Sequence, residues 1–273
     1  MAHFTAPRIG IVGAGPAGIS AGIFLKRYNF NVTIFEKKAI GGLISNAWRV
    51  ENIPIMEPAS GETIVNMFKK YISLYNVPII FEEVLKVTET TITTNKSSYK
   101  FDEIIIASGT NPKRIQEFEL CDKKIVYEFR DLPDSFDSLA IYGAGDVAFD
   151  GAIKAKLSGI RVHIFNRSKK IRALERLVSL ALKLGVVYHE EEPIIEVTRE
   201  NNNVILKTSK NTYKFNSMLI AIGRTGNTDF VKTKSVYVVG DAAHPEIRQA
   251  SIAIGDGIKI AMKIIQKYKN MST

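Results

Sequence analysis

The sequence contains the same short pattern twice: a glycine-rich turn placed between an apolar strand and a helix. The first copy is Ile9–Val12 followed by Gly13-Ala14-Gly15-Pro16-Ala17-Gly18, and the second is Leu139–Tyr142 followed by Gly143-Ala144-Gly145-Asp146-Val147-Ala148. In both copies 18 positions separate the last motif residue from the end of the next strand, at Glu36 or at Asn166. One such turn is a weak signal, but two with equal spacing predict two dinucleotide-binding sites.

The stretches after the two motifs also correspond. A helix is expected at Gly61–Leu74 in the first half and at Arg172–Leu184 in the second, each followed by short β-rich segments. The predicted fold class is α/β, with two Rossmann-like domains that each have a parallel sheet and a β-meander. Turn-forming residues near 109–112 and 223–227 predict that residues 113–226 form a second domain. This domain is inserted into a first domain of residues 1–112 and 227–273.

The first motif carries the residue types that a dinucleotide needs. Gly13 makes the tight turn, Gly15 lets the backbone approach a pyrophosphate, and Gly18 lets the helix pack on the strand. The helix N-terminus supplies amide donors and a partial positive charge. Glu36 is placed to accept hydrogen bonds from a ribose diol. A glycine turn without a ligand is the alternative, and the acid at the expected spacing argues against it.

The second motif lacks this acid. Asn166-Arg167 stands at the corresponding place, and a guanidinium can pair with a 2′-phosphate through two hydrogen bonds. Arg167, supported by Lys169, Lys170 or Arg172, therefore favours NADP over NAD. A solvated basic turn remains the alternative interpretation.

Composition excludes several classes of protein. The 273 residues include 37 Lys and Arg against 28 Asp and Glu, for a net charge of +9, and one cysteine, Cys121. One cysteine cannot form an internal disulfide, and the cysteine and histidines have no zinc-like spacing, so no metal site is predicted. The basic residues are dispersed, which favours a solvated surface over nucleic-acid binding. No apolar run is long enough for a membrane helix and no signal peptide is evident, so a cytoplasmic location is expected.

The motifs together resemble the low-molecular-weight thioredoxin reductases over nearly the whole chain. The residues that carry the resemblance are Gly13–Gly18 with Glu36, Gly41-Gly42, 50–54, 107–110, 143–148 with Asn166-Arg167, 221–224, Gly240-Asp241 and 248–250. The resemblance implies that the first domain (1–112 and 227–273) is FAD-binding and that the second (113–226) is NAD(P)H-binding. It also implies a homodimer. It places Asp241 at the ribityl chain, Gln249-Ala250 at the pyrimidine edge, Gly42, Leu43 and Asn52 beside the flavin, and Val84 near the adenine. Independently, a carboxylate at a strand end, such as that of Asp241, can accept ribityl hydroxyl protons or cap the last helix.

The candidate site residues fall into two sets. The FAD set is Gly13, Gly15, Pro16, Ala17, Gly18, Glu36, Lys37, Gly42, Leu43, Asn52, Val84, Ala107, Gly109, Gly240, Asp241, Gln249 and Ala250. The NADP set is Gly143, Gly145, Asp146, Val147, Asn166, Arg167, Arg172 and Gly223. No catalytic residue is assigned, because hydride transfer asks the protein for positioning rather than for acid–base chemistry. His244 is interpreted as a loop histidine rather than as a flavin neighbour.

The lone cysteine separates this chain from the family it resembles. Those reductases carry a redox pair just before the second glycine motif, where this sequence has only Cys121. Disulfide exchange needs an attacking and a resolving thiol, so the usual reduction of thioredoxin is not expected. The leading hypothesis is an FAD-dependent NAD(P)H oxidoreductase that passes electrons to an external acceptor, such as an acidic ferredoxin-like protein or a small molecule. In lacking the cysteine pair, the chain is similar to the thioredoxin-reductase-type ferredoxin–NADP⁺ reductases. Alternatives are a flavin-binding sensor with a degenerate nicotinamide site and a thiol reductase that uses Cys121.

Overall fold

The computed structural model describes residues 6–119 and 123–270, which divide into two units. The first unit runs through Ser45, continues over Val50–Asn111 and resumes at Thr225. The second unit is Pro112–Arg224 together with the short segment Asn46–Arg49. Cys121 lies outside the described residues.

The first unit is built on a parallel sheet with the strand order β18-β7-β1-β2-β3. β1 (Arg8–Val12) lies at the centre and pairs with β2 (Asn31–Phe35) on one side and β7 (Glu103–Ile106) on the other, while β18 (Tyr237–Val238) and β3 (Ile79–Ile80) form the edges. The central strands are apolar runs because both faces of a parallel sheet are covered.

Helices and a meander cover the two faces of this sheet. Helices α1 (Pro16–Arg27) and α5 (Ala250–Asn270) share one core with the sheet, and α2 (Gly61–Leu74) packs at its margin. The opposite face packs on the antiparallel meander β4 (Val84–Val87), β5 (Thr91–Thr94) and β6 (Ser98–Lys100). The helix predicted at Gly61–Leu74 is confirmed, and the hydroxyl of Ser60 caps it by accepting a hydrogen bond from Thr63 N at 3.1 Å.

The second unit repeats this plan. Its parallel sheet has the order β12-β11-β10-β16-β9, with ranges β9 Ile125–Val126, β10 Ser138–Tyr142, β11 Arg161–Phe165, β12 Val187–His189 and β16 Ser217–Ile220. Helices α3 (Asp146–Leu157) and α4 (Glu175–Lys183) share a core with this sheet. The meander β13 (Ile194–Glu200), β14 (Asn203–Thr208) and β15 (Thr212–Phe215) contributes to a second core. The predicted fold class, two Rossmann-like units with one inserted in the other, is confirmed.

Two neighbouring strands mark the passages between the units. β8 (Thr110–Pro112) leaves the first unit and β17 (Arg224–Gly226) returns to it, and the two pair as a small sheet. The hydrogen bonds Lys113 N to Gly223 O and Asn227 N to Gly109 O, both 2.9 Å, flank this pair. The inserted part of the chain therefore begins and ends at the same place.

Candidate functional site

The first glycine turn is shaped by a close approach that only glycine permits. Gly13 has φ +106°, and a Cβ there would lie 2.3 Å from Ala107 O. Its N–H donates to Phe35 O at 2.7 Å, so the turn is held between β2 and β7. Gly15 is different, because a Cβ there would meet nothing within 4 Å. An open surface beside Gly15, at the N-terminus of α1, fits the pyrophosphate of a dinucleotide.

Glu36 closes the turn from the end of β2. Its Oε2 accepts a hydrogen bond from Ala14 N at 2.9 Å, and its Oε1 accepts one from Lys38 N at 2.9 Å. The carboxylate is half-buried, and each oxygen keeps a second lone pair that can accept from a ribose hydroxyl. Lys37 is exposed and forms a 3.9 Å ion pair with Glu83. Val84, which is predicted to lie near the adenine, directly follows Glu83 in the chain. It is therefore on the same side of the site as Glu36 and Lys37.

Five other predicted FAD residues lie beside this turn. A Cβ on Gly42 would lie 3.2 Å from Gly15 Cα, and Gly41 N donates to Ala14 O at 2.8 Å. A Cβ on Gly240 would lie 3.0 Å from the Cβ of Ala17. The other three are close in the chain to residues already placed at the turn: Leu43 follows Gly42, Asp241 follows Gly240, and Gly109 lies two positions after Ala107.

The last part of the first site lies at the N-terminus of α5. The amide of Asn52 donates to the side-chain oxygen of Gln249, and Ser251 Oγ donates to Asn52 O at 3.1 Å. Asn52, Gln249 and Ala250 therefore lie together, as expected for one edge of a site. His244 is exposed, and its N–H donates to Gly240 O at 3.0 Å.

Two residues that support the first site were missed in the sequence. Asp256 Oδ2 accepts a hydrogen bond from Gly240 N at 3.2 Å and so holds the turn that carries Asp241. A Cβ on Gly257 would lie 2.1 Å from Ala17 O, so this glycine lets α5 approach α1 closely. The available signal was an acid followed by a glycine inside a long amphipathic helix, where glycine is costly without a packing reason.

The second glycine turn reproduces the first. Gly143 has φ +131°, and a Cβ there would lie 2.2 Å from Ala221 O. Its N–H donates to Phe165 O at 3.0 Å, and Arg172 N donates to Ala144 O at 2.9 Å. Gly145, like Gly15, has open space where a Cβ would lie. The backbone of the second unit therefore offers the same cradle to a pyrophosphate.

The two sites differ at the residue after the second strand of each repeat. Asn166 is buried, and its Nδ2 donates to Tyr188 Oη at 2.8 Å and to Lys170 O at 3.2 Å. Its side chain therefore shapes the loop that follows. Arg167, the next residue, is exposed. The pKa of Tyr142 is raised by burial, and the charge of Arg167 partly opposes this shift, so Arg167 lies within electrostatic range of the end of β10.

The remaining predicted residues of the second site lie around the same turn. Asp146 begins α3, and its Oδ1 accepts a hydrogen bond from Leu174 N at 2.8 Å. This bond and the Arg172–Ala144 bond hold residues 172–174 as a loop, and α4 accordingly begins at Glu175, later than the sequence predicted. Val147 is exposed, and Gly223, with φ +117°, follows the end of β16 near Lys113.

No metal centre is found in the part of the chain that the structure describes. Over residues 6–119 and 123–270, no group of three or more His, Cys, Asp or Glu side chains is placed to hold an ion. None of the helices described there is long and apolar enough to cross a membrane.

Comparison with known proteins gives the family. Residues 7–235 match the family model described as pyridine nucleotide-disulphide oxidoreductase. The thioredoxin reductase of Bacillus subtilis (strain 168) is 24% identical, and the match covers 94% of this chain and 93% of that protein. The "34.2 kDa protein in rubredoxin operon" of Clostridium pasteurianum is 25% identical, with 94% and 96% covered.

Solved structures show the same fold. The thioredoxin reductase of T. acidophilum superimposes with a TM-score of 0.83 at 23% identity, covering 95% of this chain and 98% of that one. The Lactococcus lactis enzyme gives a TM-score of 0.82 at 21% identity with the same coverage. The resemblance to thioredoxin reductases drawn from the motifs is confirmed. With two matched glycine turns in the predicted context and a family model spanning most of its length, the chain belongs to the pyridine nucleotide-disulphide oxidoreductase family.

Proposed function

We propose that the protein is an FAD-dependent NADPH oxidoreductase that delivers electrons to an external acceptor. The observation that supports this proposal is a pair of equivalent glycine turns, each with open space beside a helix N-terminus, in a chain with a single cysteine. Two such turns suit a nucleotide donor and a dinucleotide cofactor, whereas one thiol cannot both attack and resolve a disulfide.

FAD, when bound, would supply the ability to take up a hydride and release electrons. The first unit would hold its pyrophosphate at Gly13–Gly18 and its ribose at Glu36. Asp241 would hold the ribityl chain, and Asn52 with Gln249 would lie at one edge of the ring. The protein's own task is to bind and orient, because no acid–base side chain is needed.

The second unit would bind NADPH rather than NADH. Its turn lacks the acid that accepts a ribose 2′-hydroxyl, and Arg167 occupies the exposed position after Asn166. A guanidinium favours a 2′-phosphate through charge and through paired hydrogen bonds. Arg172 and Lys170 on the same loop add positive charge.

The acceptor is proposed to be a small redox protein. One relative is named for a rubredoxin operon, and the net charge of +9 suits an acidic partner because complementary charge speeds encounter. The alternative within this proposal is that the electron acceptor is a small molecule. We further propose that the protein works in the cytoplasm. We also propose that it forms a homodimer, as its resemblance to thioredoxin reductases implies.

The test begins with anaerobic reduction of the FAD-loaded protein. NADPH is expected to bleach the flavin absorbance, and the reduced protein is then mixed with rubredoxin, ferredoxin, quinone, free flavin or thioredoxin. Fast reoxidation by an acceptor other than thioredoxin supports the proposal. A yellow protein that ignores both NADPH and NADH would instead be a flavin-binding module, and one that cannot be reconstituted with FAD would contradict both functions.

Cys121→Ser separates the proposal from a thiol mechanism. The variant is expected to keep turnover within about twofold of the unchanged protein, since a single thiol has no resolving partner. Loss of turnover in this variant, with flavin reduction by NADPH intact, would assign the reaction to Cys121.

A further inference from the structure

A chain of polar side chains crosses the space between the sheet and the meander of the second unit. His163 Nδ1 lies 2.9 Å from His189 Nε2, and His189 Nδ1 lies 3.0 Å from Glu192 Oε2. The other carboxylate oxygen of Glu192 accepts hydrogen bonds from Thr208 Oγ1 at 2.7 Å and Tyr213 Oη at 2.8 Å. We refer to His163, His189 and Glu192 as the histidine–glutamate chain.

Glu192 is a buried charge that is fully hydrogen-bonded. Its residue is only 3% exposed. Burial raises the pKa of Glu192, but the hydrogen bonds from Thr208, Tyr213 and His189 together lower it by more than burial raises it. The net shift is downward, so the carboxylate stays ionised. The His189 ring stacks flat on Phe165, with centroids 4.3 Å apart and planes 6° apart, which fixes its orientation. A buried ion of this kind adds little stability over a well-packed apolar group, so its geometry calls for another role.

Backbone hydrogen bonds join the histidine–glutamate chain to Asn166, at the start of the loop that carries Arg167. Asn166 N donates to His189 O at 2.9 Å, and Glu192 N donates to Asn166 O at 2.8 Å. The turn between them contains Glu191 in the left-handed region, with φ +49°, a conformation that the surrounding contacts must hold. The backbone N–H and C=O of Asn166 are therefore both hydrogen-bonded to the 189–192 turn, which carries two members of the histidine–glutamate chain. Arg167 is the next residue.

We propose that His189 and Glu192 are positioning residues that make the second site selective for a 2′-phosphorylated dinucleotide. They fix the 189–192 turn, the turn holds Asn166, and Asn166 sets the direction of Arg167. A guanidinium must be correctly oriented to make two parallel hydrogen bonds to a phosphate, so a displaced Arg167 loses affinity for NADPH more than for NADH. This inference rests on the proposed function, because it requires the second unit to bind a nicotinamide dinucleotide.

The experiment measures the dissociation constants of NADPH and NADH with the full-length, FAD-loaded protein by calorimetry. Glu192→Gln and His189→Gln are compared with the unchanged protein. Both variants are expected to lower the ratio of the NADH constant to the NADPH constant by at least about fivefold, while the NADH constant changes by less than about twofold. An unchanged ratio in both variants would overturn the inference.

A matched control separates positioning from general loosening. Leu206, on β14, is fully buried in the same core. Its side chain has no hydrogen-bonding group, so Leu206→Ala removes packing there without removing a hydrogen bond of the histidine–glutamate chain. This control is expected to lower Tm and to keep the ratio. If Leu206→Ala lowers the ratio as much as Glu192→Gln does, the inference is wrong.

Two further measurements keep the outcomes distinct. Tyr213→Phe removes one of the three donors to Glu192 and is expected to lower the ratio by a smaller factor, which keeps the test available if Glu192→Gln fails to fold. An unchanged protein that binds neither nucleotide contradicts the proposed function itself. A protein that prefers NADPH, with variants that preserve the preference, contradicts only the positioning role.

Discussion

Arg167 is the residue on which the choice of nucleotide is expected to depend most. Arg167→Ala should weaken NADPH binding about tenfold or more, since hydrogen bonds to charged groups contribute about 1.5–3 kcal/mol, and should leave NADH binding nearly unchanged. Calorimetric titration with both nucleotides measures this difference. Lys207→Ala is the control, because it removes an equal charge from an exposed position on β14. Equal losses in the two variants would reduce the role of Arg167 to general electrostatics.

At the residue scale, the sequence revealed the backbone-shaping positions but not the supporting side chains. Gly13 and Gly143 were predictable because their requirement is local: a turn that no side chain can enter. The contact of Asp256 with Gly240 and that of Glu192 with Tyr213 join residues 16 and 21 positions apart. Such contacts depend on how elements pack, and no periodicity or spacing encodes them. The histidines looked scattered along the sequence for the same reason.

Two glycines of α5 give a prediction at the scale of the element. A Cβ at Gly257 would lie 2.1 Å from the backbone oxygen of Ala17, whereas one at Gly255 would meet nothing within 4 Å. Gly257→Ala should lower the free energy of unfolding by about 1–3 kcal/mol through overpacking against α1. Gly255→Ala should be neutral or stabilising by up to about 1 kcal/mol, because alanine favours helix. Denaturant unfolding of both variants tests this, and equal effects would contradict the close approach of the two helices.

The burial of His163 on β11 should make the stability of the second unit depend on pH. The pKa of His163 is lowered from 6.5 to about 4 by burial, and then by the charges of His189, Arg161 and Lys156. Below pH 6.5 the unfolded chain therefore binds a proton that the folded unit refuses, so stability falls as pH drops from about 6.5 towards 4. Glu192, with a lowered pKa, adds a loss in the same direction at still lower pH.

The contribution of His163 can be isolated by removing its titration. His163→Gln is expected to flatten the fall in denaturation midpoint between pH 6.5 and 4, with the midpoint followed by circular dichroism. Substitution of His244, which is exposed and follows Gly240 in the first unit, serves as the control and should leave the slope unchanged. A slope that persists in His163→Gln would assign the pH dependence to other groups.

At the scale of the whole molecule, duplication made the fold predictable. The second sheet, meander and glycine turn could be inferred because they repeat the first, and each hydrogen bond that positions Gly13 has a counterpart at Gly143. The exception is Asn46–Arg49, which belongs to the second unit although it lies early in the chain. Asn46 donates to Glu128 at 2.7 Å, and Trp48 N donates to Asp150 at 2.8 Å. These partners are 82 and 102 positions away, so the sequence offered no local sign of them.

Assembly is the remaining prediction at this scale. The resemblance to thioredoxin reductases predicts a dimer, and exposed apolar side chains at Tyr71, Leu74 and Met262 give the first unit apolar surface on α2 and α5. Light scattering coupled to gel filtration should give twice the mass of the chain. If the dimer forms through α5, Met262→Asp should shift the measured mass towards that of a monomer. A monomeric mass for the unsubstituted protein would contradict the prediction.

The pairing of β8 with β17 has a consequence for how such a chain can arise. Because the two ends of the inserted unit lie side by side, the insertion replaces a single connection of the first unit, and β7 and β18 remain neighbours in its sheet. The same neighbouring ends let evolution exchange the inserted module for another while the host retains its own core. Under the proposed function, the unit that binds the electron donor can then diversify separately from the unit that binds FAD.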